Sequence, residues 1–231
     1  PFGAEITPGT SQRAPSDIAG SVPAQAGNVT ELLITGYSTT QTWQGYFGNI
    51  TGTIQLADAS DRVIYNWSLA SPQGEIYAST NNTISWANTQ CFNFTANGTR
   101  LTSAVGETAG STNHGGWNVT QLESAFSIGV EDVDGVNETF ILQDHDQFFT
   151  ANLQFSANEC RSTRVFGSTG QGVDQQFEEA LLYEPATTSI IFASLIENSL
   201  SGFNNAQSDF EMLVLEDGHA TDVASKTYYF F

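Results

Sequence analysis

Basic side chains are scarce in this chain. Lys and Arg number six among 231 residues, against 25 Asp and Glu, and the formal net charge is −19. Arg13, Arg62, Arg100, Arg161, Arg164 and the lone Lys226 form no cluster. Phosphate backbones are held by clustered Lys and Arg, so nucleic acid is excluded as a partner, and the same field repels anionic lipid surfaces. Cysteine is almost missing: only Cys91 and Cys160 occur. In an oxidising compartment they are expected to form one disulfide closing a long loop, the rival being two separate buried thiols. With three scattered histidines (His114, His145 and His219) they lack zinc-type spacing, so neither a metal nor any other cofactor is expected. No stretch approaches the roughly 20 apolar residues of a membrane span.

Despite its net charge, only 13% of the chain is charged, while 39% is apolar and 12% aromatic. That is enough to bury a sizeable core, and the surface must be built from Ser, Thr, Asn, Gln and Gly with scattered carboxylates. Residues 1–27 stand apart. Four of the six prolines (Pro1, Pro8, Pro15 and Pro23) lie there among small residues, a composition that gives an extended arm rather than a helix.

From Asn28 onward, residues 28–231 read as one β-rich region with a period of two. Ile50, Gly52, Ile54 and Leu56 alternate with polar neighbours, as do Val63, Tyr65, Trp67 and Leu69. Ile84 with Trp86, Phe92 with Phe94, and Val136, Phe140 and Leu142 continue the pattern, each predicting a strand with one buried face. Ser71-Pro72-Gln73-Gly74, Asp134-Gly135 and Asp217-Gly218 supply turns. The run 188–196 is apolar on both parities and predicts a central strand covered on both sides. Only 118–126 invites a helix, with Asn118 as N-cap. The expected fold is an all-β, immunoglobulin-like or Greek-key β-sandwich with an extended N-terminal arm, built as one elaborated domain or two fused sandwiches.

Asn-X-Ser/Thr triplets occur at Asn28, Asn49, Asn66, Asn81, Asn93, Asn97, Asn118 and Asn137. These are acceptors for covalent N-glycans, which must face solvent. Asn49, Asn66, Asn81, Asn93 and Asn137 fall on the polar parity of their expected strands, as a glycosylated side chain requires.

Signals for chemistry are weak. Glu131, Asp132, Asp134, Asp144 and Asp146 could supply oxygen ligands for calcium, but the run lacks the further ligands of an EF-hand loop and reads as a solvated turn. No carboxylate spacing singles out a glycosidase pair. His145 between two Asp has no serine in a nucleophile-elbow context. Trp43, Tyr46 and Phe47 read either as a sugar-stacking platform or as core anchors of the first strand. Lys226 has no identifiable partner for an isopeptide bond. No enzyme is expected.

The stretches Trp43-Gln44-Gly45-Tyr46-Phe47-Gly48-Asn49-Ile50-Thr51-Gly52 and Tyr65-Asn66-Trp67-Ser68-Leu69-Ala70-Ser71-Pro72-Gln73-Gly74, with Glu216-Asp217-Gly218-His219 and Thr227-Tyr228-Tyr229-Phe230, carry a resemblance. From about Asn28 to its end, the chain resembles extracellular β-rich domains of archaeal cell-surface proteins, some with pilin-like leaders. The resemblance implies a structural subunit of a pilus-like filament or envelope layer at the cell surface, with an adhesin or carbohydrate-binding module as the alternative. The chain departs from type IV pilins in having no long apolar N-terminal helix. Self-assembly would then proceed as a homopolymer by strand addition, with residues 1–27 as the donor arm and Phe2, Ile6, Ile18 and Val22 as its buried anchors.

Overall fold

The computed structural model describes residues 3–68, 73–92, 118–129, 131–216 and 225–231. Phe2, Asn93, Asn97, His114, His219 and the expected turns at Ser71-Pro72 and Asp217-Gly218 lie outside the described residues. The described residues are mostly β, with 31% of them in strand and 9% in helix, and the strands form several antiparallel sheets. In order come β1 (Trp43–Gly48), β2 (Thr53–Ala57), β3 (Val63–Ser68), β4 (Glu75–Ser79) and β5 (Gln90–Cys91). Two short helices follow, α1 (Val119–Ala125) and α2 (Val136–Thr139), then β6 (Phe148–Thr150), β7 (Leu153–Phe155) and β8 (Ser162–Arg164). The remainder is β9 (Glu178–Glu184), β10 (Ser189–Leu195), β11 (Leu200–Ser201), β12 (Gln207–Ser208), β13 (Phe210–Leu215) and β14 (Tyr229–Phe230).

The centre is a six-stranded antiparallel sheet in the order β14-β4-β10-β9-β5, with β8 also on β9. Because β10 and residues 180–183 of β9 are apolar on both parities, each can be covered on both faces, and both strands are buried. Leu181, Tyr183, Ile190 and Phe192 point to one side, where they meet Met212 and Val214 of β13 and Val119, Leu122, Val136 and Phe140 from the helices. Ala180, Leu182, Ile191 and Ala193 point to the other, against Phe148, Phe155 and both cysteines. Phe148 and Phe155 stack at 4.8 Å between ring centroids.

The disulfide Cys91–Cys160 links residues 69 apart in sequence. Its position follows from pairing: Cys91 lies opposite Leu182 on β9, and Ser162, two residues beyond Cys160, lies opposite Ala180 on the same strand. The expected helix is also present. Asn118 caps α1, its Oδ1 accepting from Gln121 N at 2.8 Å while the Gln121 side chain accepts from Asn118 N at 2.9 Å. The apolar C-terminal run forms β14, paired with β4.

Several expected strands are absent or differently placed. Val136 and Phe140 sit on and just after α2, both buried, because a spacing of four satisfies one helical turn as well as an even strand parity. Ile84 lies in a loop and Trp86 opens a 3₁₀ turn, where its ring packs on Tyr77 and Phe231. The strand expected from Asn49 begins only at Thr53. The largest difference concerns β2 and β3: both strands form, but every residue in them is exposed. Their alternation is real, yet the apolar face meets no other part of the described chain closely enough to be buried.

Candidate assembly surface

Residues 3–41 are exposed throughout and contain no strand or helix, so the irregular segment runs past residue 27 to the start of β1. Prolines 8, 15 and 23 hold this backbone extended and remove donors a sheet would need. Ile6, Ile18 and Val22 are all solvent-exposed, Ile18 at 97%. One contact ties the start of the arm to the body: Ala4 N donates to Phe230 O at 3.0 Å. Phe231 exchanges both backbone bonds with Tyr77 on β4, so by the alternation of an antiparallel ladder Phe230 turns its carbonyl to the outer edge of β14. The arm therefore begins at the outer edge of β14.

A second exposed element is the β2–β3 hairpin. Asp58 shapes its turn, Oδ1 accepting from Ser60 N at 2.8 Å and Arg62 N at 3.0 Å, while Asp61 takes a positive φ of 58°. Asp209 fixes its root by accepting from Ile50 N at 2.8 Å. Cross-strand pairs Ile54–Trp67 and Leu56–Tyr65 lie on one face, and beyond Leu56 the register shifts so that Val63 pairs with Ala57. Thr53–Ser68 and Gln55–Asn66 lie on the other. Tyr65 and Trp67 touch at 4.8 Å between ring centroids. One side is thus apolar and bare, and the sequon Asn66 is on the opposite side.

Asn28, Asn49 and Asn66 are exposed. Asn81 is half-buried after β4, its Nδ2 donating to Ser189 Oγ at 2.9 Å. Asn137 lies on α2 instead of a strand and is half-buried, with Nδ2 donating to Glu138 and Oδ1 accepting from Arg161. Asn118 is engaged as the α1 cap. The parity argument for solvent exposure thus applies to Asn66 on β3, whereas Asn49, Asn81 and Asn137 lie outside strands.

Carboxylates in the body of the fold act as anchors for neighbouring backbone and side chains. A cleft of about 240 Å³ is lined by Glu75, Asp146, Glu178 and Glu197. Glu75 accepts from Phe149 N at 3.0 Å, Glu178 from Asp146 N at 2.7 Å and Gln175 N at 3.1 Å, and Glu197 from Phe177 N at 3.1 Å. Burial raises the pKa of all three, and the backbone bonds partly offset it. Glu179, wholly buried on β9, accepts from Leu213 N at 2.8 Å and is raised well above the usual carboxylate range by desolvation. In the acidic run 131–146, Asp132 accepts from Gly129 N, Asp134 from the Thr40 hydroxyl, and Asp144 pairs with Arg164 and Ser162. Among the described residues no group of three or more His, Cys, Asp or Glu is disposed to hold a metal ion.

His145 is fully buried beside the disulfide. Its Nε2 accepts from Cys160 N at 2.7 Å, so Nδ1 carries the proton and donates to Asp146 O at 2.7 Å. Burial lowers its pKa and keeps it neutral. Trp43 is a core anchor: it packs on Phe140 and Phe192, and its Nε1 donates to Asp134 O at 2.6 Å. Tyr46 and Phe47 are half-covered by Phe230 and Phe203. Lys226 Nζ lies 5.1 Å from the Phe126 ring centroid.

The sequence pattern missed one exposed element, the run from Val29 to Tyr37, where Leu32, Leu33, Ile34 and Tyr37 all face solvent. Its only signal was an apolar run in a polar stretch, which also suits a core strand. Comparison with protein-family models, with curated proteins and with solved structures returned no match.

Proposed function

We propose that this chain is a structural subunit of an extracellular, glycan-coated filament or cell-envelope layer of the archaeal surface type, joined copy to copy through β-strand contacts. In this reading the two-sided packing of the central sheet belongs to a Greek-key β-sandwich of immunoglobulin-like kind, and the protein's role is structural. The observation that carries it is the arm. A segment with exposed apolar side chains starts at the outer edge of β14, with Ala4 already bonded to Phe230. An open edge with unpaired backbone groups is where a strand from a second copy adds. The disulfide suits an oxidising exterior. The exposed sequons Asn28, Asn49 and Asn66 suit glycan addition away from the core. A carbohydrate platform built on Trp43 loses its central ring, which packs partly buried on Phe140 and Phe192.

The test is electron microscopy of native material and of a variant lacking residues 1–27, with intact mass before and after deglycosylation. Filaments in the native sample, their loss on deletion, and excess mass at Asn28, Asn49 and Asn66 are expected. Full-length filaments from the deletion variant would rule out the arm as donor. Native particles that stay monodisperse would rule out the filament.

A further inference from the structure

The bare face of the β2–β3 hairpin has an occupant of matching character elsewhere on the same chain. Ile54, Leu56, Tyr65 and Trp67 are 48–61% exposed on it. An isolated two-stranded hairpin is marginal in water and is stabilised when something covers its apolar face. The run 29–37 bears Leu32, Leu33, Ile34 and Tyr37, also exposed, and has no strand partner in the described chain. β1 separates the two elements: the run leads into Trp43, and the hairpin follows Gly48 at the other end. A six-residue strand spans about 17–20 Å, so the chain enters β1 from the run at one end and leaves it toward the hairpin at the other.

We propose that run 29–37 of one copy packs on the apolar hairpin face of the next, giving a head-to-tail contact. Two different, complementary elements of one body make a heterologous interface, which propagates into an open filament where a two-fold contact closes into a dimer. The areas suffice. The exposed side chains amount to about 500 Å² of hairpin and at least as much of the run, together roughly the 1,000 Å² that a specific interface requires. Charge agrees as well. A chain of net charge −19 repels its own copies, and the contact falls where charge is least: β2 and β3 carry no Asp, Glu, Lys, Arg or His, and the run carries only Glu31 among these. Asn66 points to the opposite side of the hairpin, so a glycan there leaves the contact face clear.

This inference deepens the filament reading by naming the surfaces that meet, and it is tested separately from deletion of residues 1–27. Two variants of the full chain are made, L33D/I34D in the run and L56D/W67D in the hairpin, and studied by sedimentation velocity. Each alone is expected to lose association by at least about 30-fold, as for loss of interface hot spots. Mixed in equal amounts, they form one heterodimer that grows no further, because each still offers one intact surface. Gln55→Ala, on the other hairpin face, associates like the unmodified chain. Near-ultraviolet circular dichroism identical to the unmodified chain shows that the cores are intact. A hairpin variant that loses association while the run variant keeps it indicates a two-fold hairpin contact and overturns the proposal. A mixture that stays monomeric, an unmodified chain that does not associate, or a monomer that instead binds polysaccharide through Trp67 overturns it equally. If both variants associate normally while deletion of 1–27 abolishes filaments, this contact is refuted and the filament reading stands. The opposite pattern removes the Pro-rich arm and keeps this contact.

Discussion

Removing the disulfide by the paired substitution C91A/C160A tests how the central sheet is held. Cys91 and Cys160 sit on one edge of β9, packed against Tyr77, Phe148 and Phe155, and close a loop with a sequence separation of 69. In the chain-entropy relation, a crosslink over that loop length lowers the entropy of the unfolded chain by about 15 cal/mol/K, or about 4 kcal/mol at 25 °C. A domain of this kind is stable by about 5–15 kcal/mol, so losing the crosslink removes a large fraction of the total. With a urea slope of about 2–3 kcal/mol/M, the midpoint should fall by about 1.5–2 M, and the melting temperature by about 10 °C or more. The assay is urea unfolding followed by tryptophan fluorescence, comparing the native chain, the chain with a reductant and the double variant. Reductant should shift the native chain to the variant's midpoint and leave the variant unmoved. If all three midpoints agree within about 0.3 M, the crosslink does not constrain the unfolded chain and the reasoning is wrong.

The buried carboxyls make stability depend on pH in a defined sense. Glu179 binds its proton more tightly in the folded chain, so its contribution is fully present below about pH 4.5 and lost as pH rises through its raised folded value. His145 works the other way, its contribution being present above pH 6.5 and lost as pH falls toward its lowered folded value. Urea midpoints are expected to rise as pH falls from 7.5 to 5.5, and E179Q should flatten that rise, each tenfold difference in proton affinity between folded and unfolded chain being worth about 1.4 kcal/mol. Identical slopes in the two proteins would refute the assignment. Gly202→Ala tests a close approach, because a Cβ there would collide with the Glu211 carboxylate and lie 2.8 Å from the Phe177 ring. It should cost about 2 kcal/mol and lower the melting temperature by several degrees, and an unchanged melting curve would count against the packing.

Where the pattern was unambiguous, local reading and fold agree. The run 188–196, apolar on both parities, could only be satisfied by cover on two sides, and β10 lies between β4 and β9. Asn118 with Gln121 three residues on formed the cap that starts α1. Val136 and Phe140 were ambiguous because their spacing serves helix and strand alike, and the backbone chose a helix. The carboxylates were illegible for another reason. Nothing local distinguishes Glu179, sealed in the core and holding Leu213, from an Asp in a surface turn.

Composition and periodicity by themselves determined the β-rich class, the scarcity of basic surface, the sequons and the one available crosslink. Each depends on residue type or on neighbours a few positions apart. Tertiary structure alone decided which alternating strands are covered. β2 and β3 alternate as regularly as any segment, yet face solvent, while Trp43, from an aromatic cluster suited to a surface, lies against Phe140 and Phe192. Alternation specifies that a strand has an apolar side. Whether that side finds a partner within the same chain depends on long-range placement, which no local pattern encodes.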